Sequence, residues 1–331
     1  MTEAPAEFNP PAWMANRHLQ SILPSLPLRR SWVERRGNTM RRASRPLVLD
    51  CGEGVRLMGL HAAPPGGGSA SPPRLAVLLH GWEGSADSLY VLSVAQLLHE
   101  RGFDVVRLNL RDHGGTHALN RELFHSCRLP EVVGATVRLQ ALFPRHRLTL
   151  AGYSLGGNFC LRVGARARAA GLRIARIVAV CPVLDPANTL EALEHGPAIY
   201  HRYFMHKWRT SLRLKQEAWP GAYDFGELIG DRSLRSMTER MVLKYTDYPD
   251  LASYLAGYAI TGGMLESLEG PAQLITAADD PMIDARDLAR LARPAALRIT
   301  VTPRGGHCGF MEALRGPSWV DRRIADELAR D

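Results

Sequence analysis

The chain has 331 residues, 46% of them hydrophobic and 22% charged, with a formal net charge of +8. That is enough apolar chain for one large core, or for a core with an inserted subdomain, and with no run of 18 apolar residues it offers no transmembrane helix. The positive excess would suit nucleic acid or an anionic surface, but only three of the 41 basic residues are lysines (Lys207, Lys215 and Lys244) and the arginines are scattered through stretches such as ARARAAGLRIAR, which reads as a compositional bias and not as a binding patch.

Met1 to Pro11 carries Glu3 and Glu7 and no apolar core, so it does not read as a secretory signal. Strands are expected at Leu47–Asp50 and Val55–His61, joined by a Gly-Glu-Gly turn into a hairpin. Ala63 to Pro73, APPGGGSASPP, is a surface loop. The short apolar run Leu75–Leu79 has the pattern of a buried parallel strand and ends in His80-Gly81-Trp82-Glu83-Gly84. A helix over Ser88–Arg101 closes at Gly102. A strand at Phe103–Leu110, a helix at Glu131–Leu142 and a strand at Arg147–Gly152 follow. After these come a helix over Leu155–Ala170 and a strand at Ile174–Val180. This alternation predicts a mostly parallel sheet flanked by helices.

From Val183 to Glu269 the alternation stops, and the aromatic, basic AIYHRYFMHKWRTSLRLKQEAWP reads as helical. It resumes with a strand at Ala272–Ala277, a helix at Ala285–Ala292, a strand at Leu297–Val301 and a last helix at Trp319–Arg330. The expected organisation is therefore a core of residues 1–182 and 270–331, with residues 183–269 inserted as a helical cap.

AGYSLGGN places Ser154 between Gly152 and Gly156, directly after a strand. A sharp strand-to-helix turn lifts such a serine off the sheet, and a Cβ two residues to either side would clash. The serine then needs a base and an orienting acid from later strand ends. The sequence offers Asp279 and Asp280 in TAADDPMID, and His307 in TPRGGHCGF. The oxyanion donors are expected to be the backbone N–H groups of Leu155 and, from HGWEGS, Trp82. His80 reads as a loop-shaping residue. His113 and His117 flank Gly114-Gly115, which argues against a metal-binding helix, and no third ligand has a defined spacing. Glu312 is expected on a helix, at the surface or behind the site. The five cysteines (Cys51, Cys127, Cys160, Cys181 and Cys308) form no C-x-x-C pair and read as reduced thiols of a cytoplasmic protein.

Together HGWEGS, LNLRDHGG, AGYSLGGN, AADDP and GGHCGF resemble the α/β-hydrolase superfamily. The front, FNPPAWMANRHLQSILPSL, is similar to its YheT-like branch, related to ABHD-type lipid hydrolases and to yeast medium-chain ester synthases and esterases. The resemblance runs from Phe8 to the last helix. It departs at Arg111-Asp112-His113-Gly114, where the branch often has an Arg-Gly-Cys turn. It implies an α/β-hydrolase fold with Ser154 as nucleophile, His307 as base and Asp280 as acid. It also implies hydrolysis of short- to medium-chain acyl esters through an acyl-enzyme, without cofactor or metal. Acyl transfer to an alcohol is the first alternative and a non-catalytic binding protein the second. Tyr200, Tyr203, Phe204, Trp208 and Trp219 are candidates to line an acyl pocket or to form the cap's own core. The expected partner is a small ester and not nucleic acid, with transient membrane-surface contact left open and the oligomeric state unassigned.

Overall fold

A computed structural model describes residues 8–67 and 70–330. The expectations placed on Met1–Glu7, and on Gly68 and Ser69 of the Ala63–Pro73 loop, lie outside the described residues.

The chain opens with three helices for which its composition gave no periodic signal: α1 (Arg17–Ile22), α2 (Pro27–Arg36) and α3 (Asn38–Ala43). Asn16 starts α1, its side chain accepting from the N–H groups of His18 and Leu19. The hairpin β1 (Arg45–Asp50) and β2 (Arg56–Ala62) follows, turning through Gly52, Glu53 and Gly54, all at positive φ. Then come β3 (Arg74–Leu79), α4 (Leu89–Glu100), β4 (Asp104–Asn109), α5 (Leu129–Leu142), β5 (Arg147–Tyr153), α6 (Leu155–Arg166) and β6 (Ile174–Val180). Five helices separate β6 from the next strand: α7 (Pro186–His195), α8 (Ala198–Ala218), α9 (Gly226–Gly230), α10 (Leu234–Tyr245) and α11 (Leu251–Ala256). The chain ends with β7 (Ala272–Ala277), β8 (Leu297–Thr302) and α12 (Trp319–Ala329).

The eight strands form one sheet in the order β1-β2-β4-β3-β5-β6-β7-β8. The β1–β2 and β2–β4 pairs are antiparallel and all the others parallel. Alternate residues of β3 serve opposite faces. Leu75, Val77 and Leu79 join the core under α5, α6 and the inserted helices, while Ala76 and Leu78 join the core under α4 and α12. The side chains of β3, β4, β5 and β7 are thus almost wholly spent on packing, which leaves chemistry to the loops at the strand ends. Among the described residues no helix is long and apolar enough to cross a membrane.

One expected helix is different. Residues 285–290 form a 3-10 turn, Ala285–Arg290. Gly262 donates to Arg290 O and accepts from Ala292 N–H, and this short bridge pulls the backbone out before an α-helix can propagate. Glu312 is not helical either; it pairs with Arg322 near the chain's end.

α8 is tied to the loop after β4 by a buried ion pair. Lys215, near the end of α8, is 1% exposed, and its Nζ donates to Asp112 Oδ1 at 2.8 Å and to the carbonyls of Asn120 (2.6 Å) and Glu122 (3.1 Å).

Candidate active site

β5 delivers Ser154 to the rim of the sheet. Its backbone lies at φ 53° and ψ −119°, a conformation that side-chain-bearing residues avoid, and its N–H donates to Val180 O at 2.8 Å. The flanking glycines have steric causes. A Cβ on Gly152 would come within 2.3 Å of Gly156 O, and one on Gly156 within 2.4 Å of His80 O. Ser154 is half-buried at the start of α6, and among the described residues its Oγ has no hydrogen-bond partner.

The loops after β7 and β8 bring Asp280 and His307 together. Asp280 Oδ1 accepts from the N–H groups of Met282 and Ile283, at 2.9 and 3.0 Å. Its Oδ2 lies 2.8 Å from His307 Nδ1. The neutral ring therefore carries its proton on Nδ1 and presents Nε2 as an acceptor. Burial disfavours the imidazolium, but the charge of Asp280, aided by Cys308 and by the hydrogen bond to Asp280, outweighs it and pushes His307 well above the usual histidine range. Asp279 does something else: its Oδ1 accepts from Gly306 N–H at 2.9 Å and props the loop.

The same loop rests on α1, a contact with no sequence signal. Ser21 Oγ accepts from His307 N–H at 2.8 Å, and Gln20 bonds both N–H and C=O of Met311. A Cβ on Gly306 would stand 2.3 Å from Arg17 O, and one on Gly309 2.2 Å from Gln20 O. Phe8 packs against Phe310 and Trp319.

The loop after β3 is held by two histidines. His80 donates from Nδ1 to Gly81 O (2.7 Å) and accepts the Leu110 N–H on Nε2 (3.2 Å). His113 donates from Nδ1 to Arg111 O (2.6 Å) and accepts the Glu83 N–H on Nε2 (3.2 Å). Burial pushes His80 down to about 4 and His113 well below its ordinary value. Both rings stay neutral, as their bonds require. Gly81 lies against Ser154, since a Cβ there would be 3.3 Å from Ser154 Cβ. Neither Trp82 N–H nor Leu155 N–H has a protein acceptor among the described residues. His117 does not converge with His113; its Nε2 bonds Ser211 Oγ at 3.0 Å.

Two cavities meet at Ser154 and His307, sharing Trp82, Phe204 and Met282 in their walls. The narrow one, about 100 Å³, is apolar and lined by Leu155, Val183, Leu190, Trp208, Met241 and Leu255 among others. The wide one, about 690 Å³, is more polar and includes Glu83, Tyr90, Tyr200, Tyr203 and Lys207. Burial pushes the Glu83 carboxyl up to about 8.

The candidate aromatics thus divide. Phe204 stacks on Trp82 with ring centroids 5.2 Å apart, and Trp208 meets Trp82 edge-on at 5.4 Å. Tyr200 is buried with its hydroxyl 3.0 Å from His18 Nδ1. Tyr203 is half exposed in the wide cavity. Trp219 lines neither; its Nε1 donates to His117 O. The apolar side chains of α7, α10 and α11 in the narrow cavity escaped sequence reasoning because a pocket wall and a helix core share one periodicity.

The sequence model of the α/β-hydrolase fold family matches residues 76–314. "Putative esterase YheT" of Escherichia coli (strain K12) is 26% identical over 328 residues, covering 98% of this chain and 93% of that protein. The solved structure of the Pyrococcus furiosus esterase Pf2001 superposes with a TM-score of 0.55 at 14% identity, covering 86% of this chain and 91% of that one. That of 2,6-dihydroxy-pseudo-oxynicotine hydrolase gives 0.58 at 16% identity, covering 86% and 68%.

Proposed function

The chain belongs to the α/β-hydrolase family and is YheT-like along nearly its whole length, and from that premise we propose that it is a serine esterase acting on short- to medium-chain acyl esters. The observation that carries the reading is the arrangement at one cleft: a serine on a positive-φ turn, a histidine bonded at Nδ1 to a buried carboxylate, and two uncommitted backbone N–H groups.

Ser154 Oγ attacks the acyl carbonyl while His307 Nε2 takes its proton, and Asp280 holds and balances the resulting imidazolium. The oxyanion is received by the N–H groups of Leu155 and Trp82, each such donor being worth roughly 2.7–4 kcal/mol in the transition state. The alcohol leaves with the proton from His307, and water repeats the cycle on the acyl-enzyme. The acyl chain enters the narrow apolar cavity, and the leaving alcohol occupies the wide one. Residues 183–269 serve as the cap that closes over both.

A fluorophosphonate is expected to label Ser154 alone, read by mass spectrometry of the peptide, and nitrophenyl esters are expected to turn over with a chain-length optimum. Folded protein that leaves Ser154 unlabelled would instead be a binding protein on a hydrolase scaffold. The width of the alcohol cavity also admits an acceptor other than water. Adding ethanol and measuring ethyl ester against free acid decides between hydrolysis and acyl transfer.

A further inference from the structure

Beside His307 lies a second cluster. Cys181 follows β6 and Cys308 follows His307, so 127 residues of chain separate the two thiols. Both residues sit at positive φ, 42° and 61°. The donor atoms of Cys181, His307 and Cys308 all lie within 4.8 Å of one another. The two thiols interact with each other and Cys308 with His307; their contacts to the backbone are long, Cys181 Sγ to Gly306 O at 3.8 Å and Cys308 Sγ to Val180 O at 3.7 Å, while the Cys308 N–H points at Cys181 Sγ from 3.4 Å. Cys308 also lines the wide cavity, which gives the cluster a route to solvent.

We propose that Cys181, Cys308 and His307 bind a thiophilic divalent cation of the Zn²⁺ class, and that its binding turns the enzyme off. Thiolate and imidazole are the preferred donors of such ions, and tetrahedral Zn²⁺ holds them about 3.4–3.8 Å apart, a contraction of roughly 1 Å from the present spacing. Asp280 already stands behind the ring, where a carboxylate orients a metal-bound histidine. Binding forms two Zn–S bonds and one Zn–N bond and releases the two thiol protons to solvent, so the thiolates neutralise the ion in a buried place. The proposed ion takes Nε2, the nitrogen that Asp280 leaves free, and the imidazole then has no lone pair for Ser154. The metal site stands independently of the esterase reading; the loss of turnover rests on it.

The test uses reduced, chelator-washed protein. One Zn²⁺ per chain is expected to bind in competition with a chromogenic chelator. Co²⁺ is expected to give an intense sulfur-to-cobalt charge-transfer band. Nitrophenyl ester turnover is lost with Zn²⁺ and returns with EDTA. Cys181→Ser should keep metal-free turnover while losing both the band and the inhibition, and Cys308→Ser should lose the band. Absence of binding, a band that survives in Cys308→Ser, or a loss of turnover that thiol reductant reverses and EDTA does not, overturns the proposal. Metal binding that Cys308→Ser abolishes, in a protein without turnover, sustains the site and removes the esterase reading instead.

Discussion

Two loops beside Ser154 each place a histidine beyond the end of a parallel strand, and they put it to opposite uses. His80, after β3, has both ring nitrogens committed to the backbone, with no carboxylate bonded to the ring. His307, after β8, has Asp280 at one nitrogen and the cleft at the other. Burial alone drives an imidazole toward neutrality; a carboxylate at 2.8 Å reverses the direction. Place at a strand end therefore does not decide the charge of the ring. What stands behind the ring does.

The sharpest way to break this contrast is to remove the carboxylate's charge. Asp280→Asn is expected to lower kcat by roughly 10⁴-fold, as an amide at this place in a triad does. Asp279→Asn, which touches only the Gly306 N–H, should cost far less. A reversed order in steady-state assays would move the acid by one residue.

The loop after β3 should respond more mildly. His113→Leu removes the acceptor for Glu83 N–H and slackens the turn that carries Trp82. A loss up to the size of one oxyanion donor, about 10²-fold in kcat, is expected, with the shape of the pH–rate profile unchanged. A changed profile would make His113 a proton carrier and dissolve the contrast.

The neutral histidine also leaves a mark on stability. The unfolded chain protonates His80 near the usual 6.5, the folded chain only near 4, so the unfolded state binds more protons between these values. The contribution is fully present above pH 6.5 and falls away as pH drops toward 4. Melting temperature followed across this window should decline, and less steeply in His80→Gln.

In the cavities, Trp208→Ala should extend the chain-length optimum, because each further CH₂ buried is worth about 0.8 kcal/mol, or roughly fourfold in kcat/KM. Tyr203→Ala, half exposed in the other cavity, should leave the optimum in place. A shift caused by Tyr203 instead would swap the acyl and alcohol arms.

Least is expected of Ser21→Ala. It takes one hydrogen bond from the His307 backbone, about 1 kcal/mol of stability, and a melting curve should register it with KM unchanged.

What the sequence disclosed and what it hid differ in kind. The central strands were legible because both their faces are buried, which leaves short continuous apolar runs such as LAVLL. The turn at Ser154 was legible because steric contact admits only glycine at 152 and 156. The support that α1 gives the His307 loop was not. Gln20 and Ser21 are ordinary polar residues in sequence, and their partners lie 291 and 286 residues away. The 3-10 turn at residues 285–290 was misread as a helix because its composition is helical and the Gly262 bridge that overrules it is a tertiary contact. Cys181 and Cys308 read only as scattered reduced thiols for the same reason: proximity in space carries no signal along the chain.

Lys215 bears on how a substrate gets in. To swing α8 away as a lid, its ammonium would have to leave Asp112 and the carbonyls of Asn120 and Glu122 while still inside the protein, and stripping one partner from a buried pair costs about 3–5 kcal/mol. Trp219, just beyond the helix, is tied to the same stretch through His117 O. The proposed cap is thus fixed at one end. Turnover should then follow dissolved substrate and climb smoothly to saturation, with no jump in rate when the ester begins to form micelles.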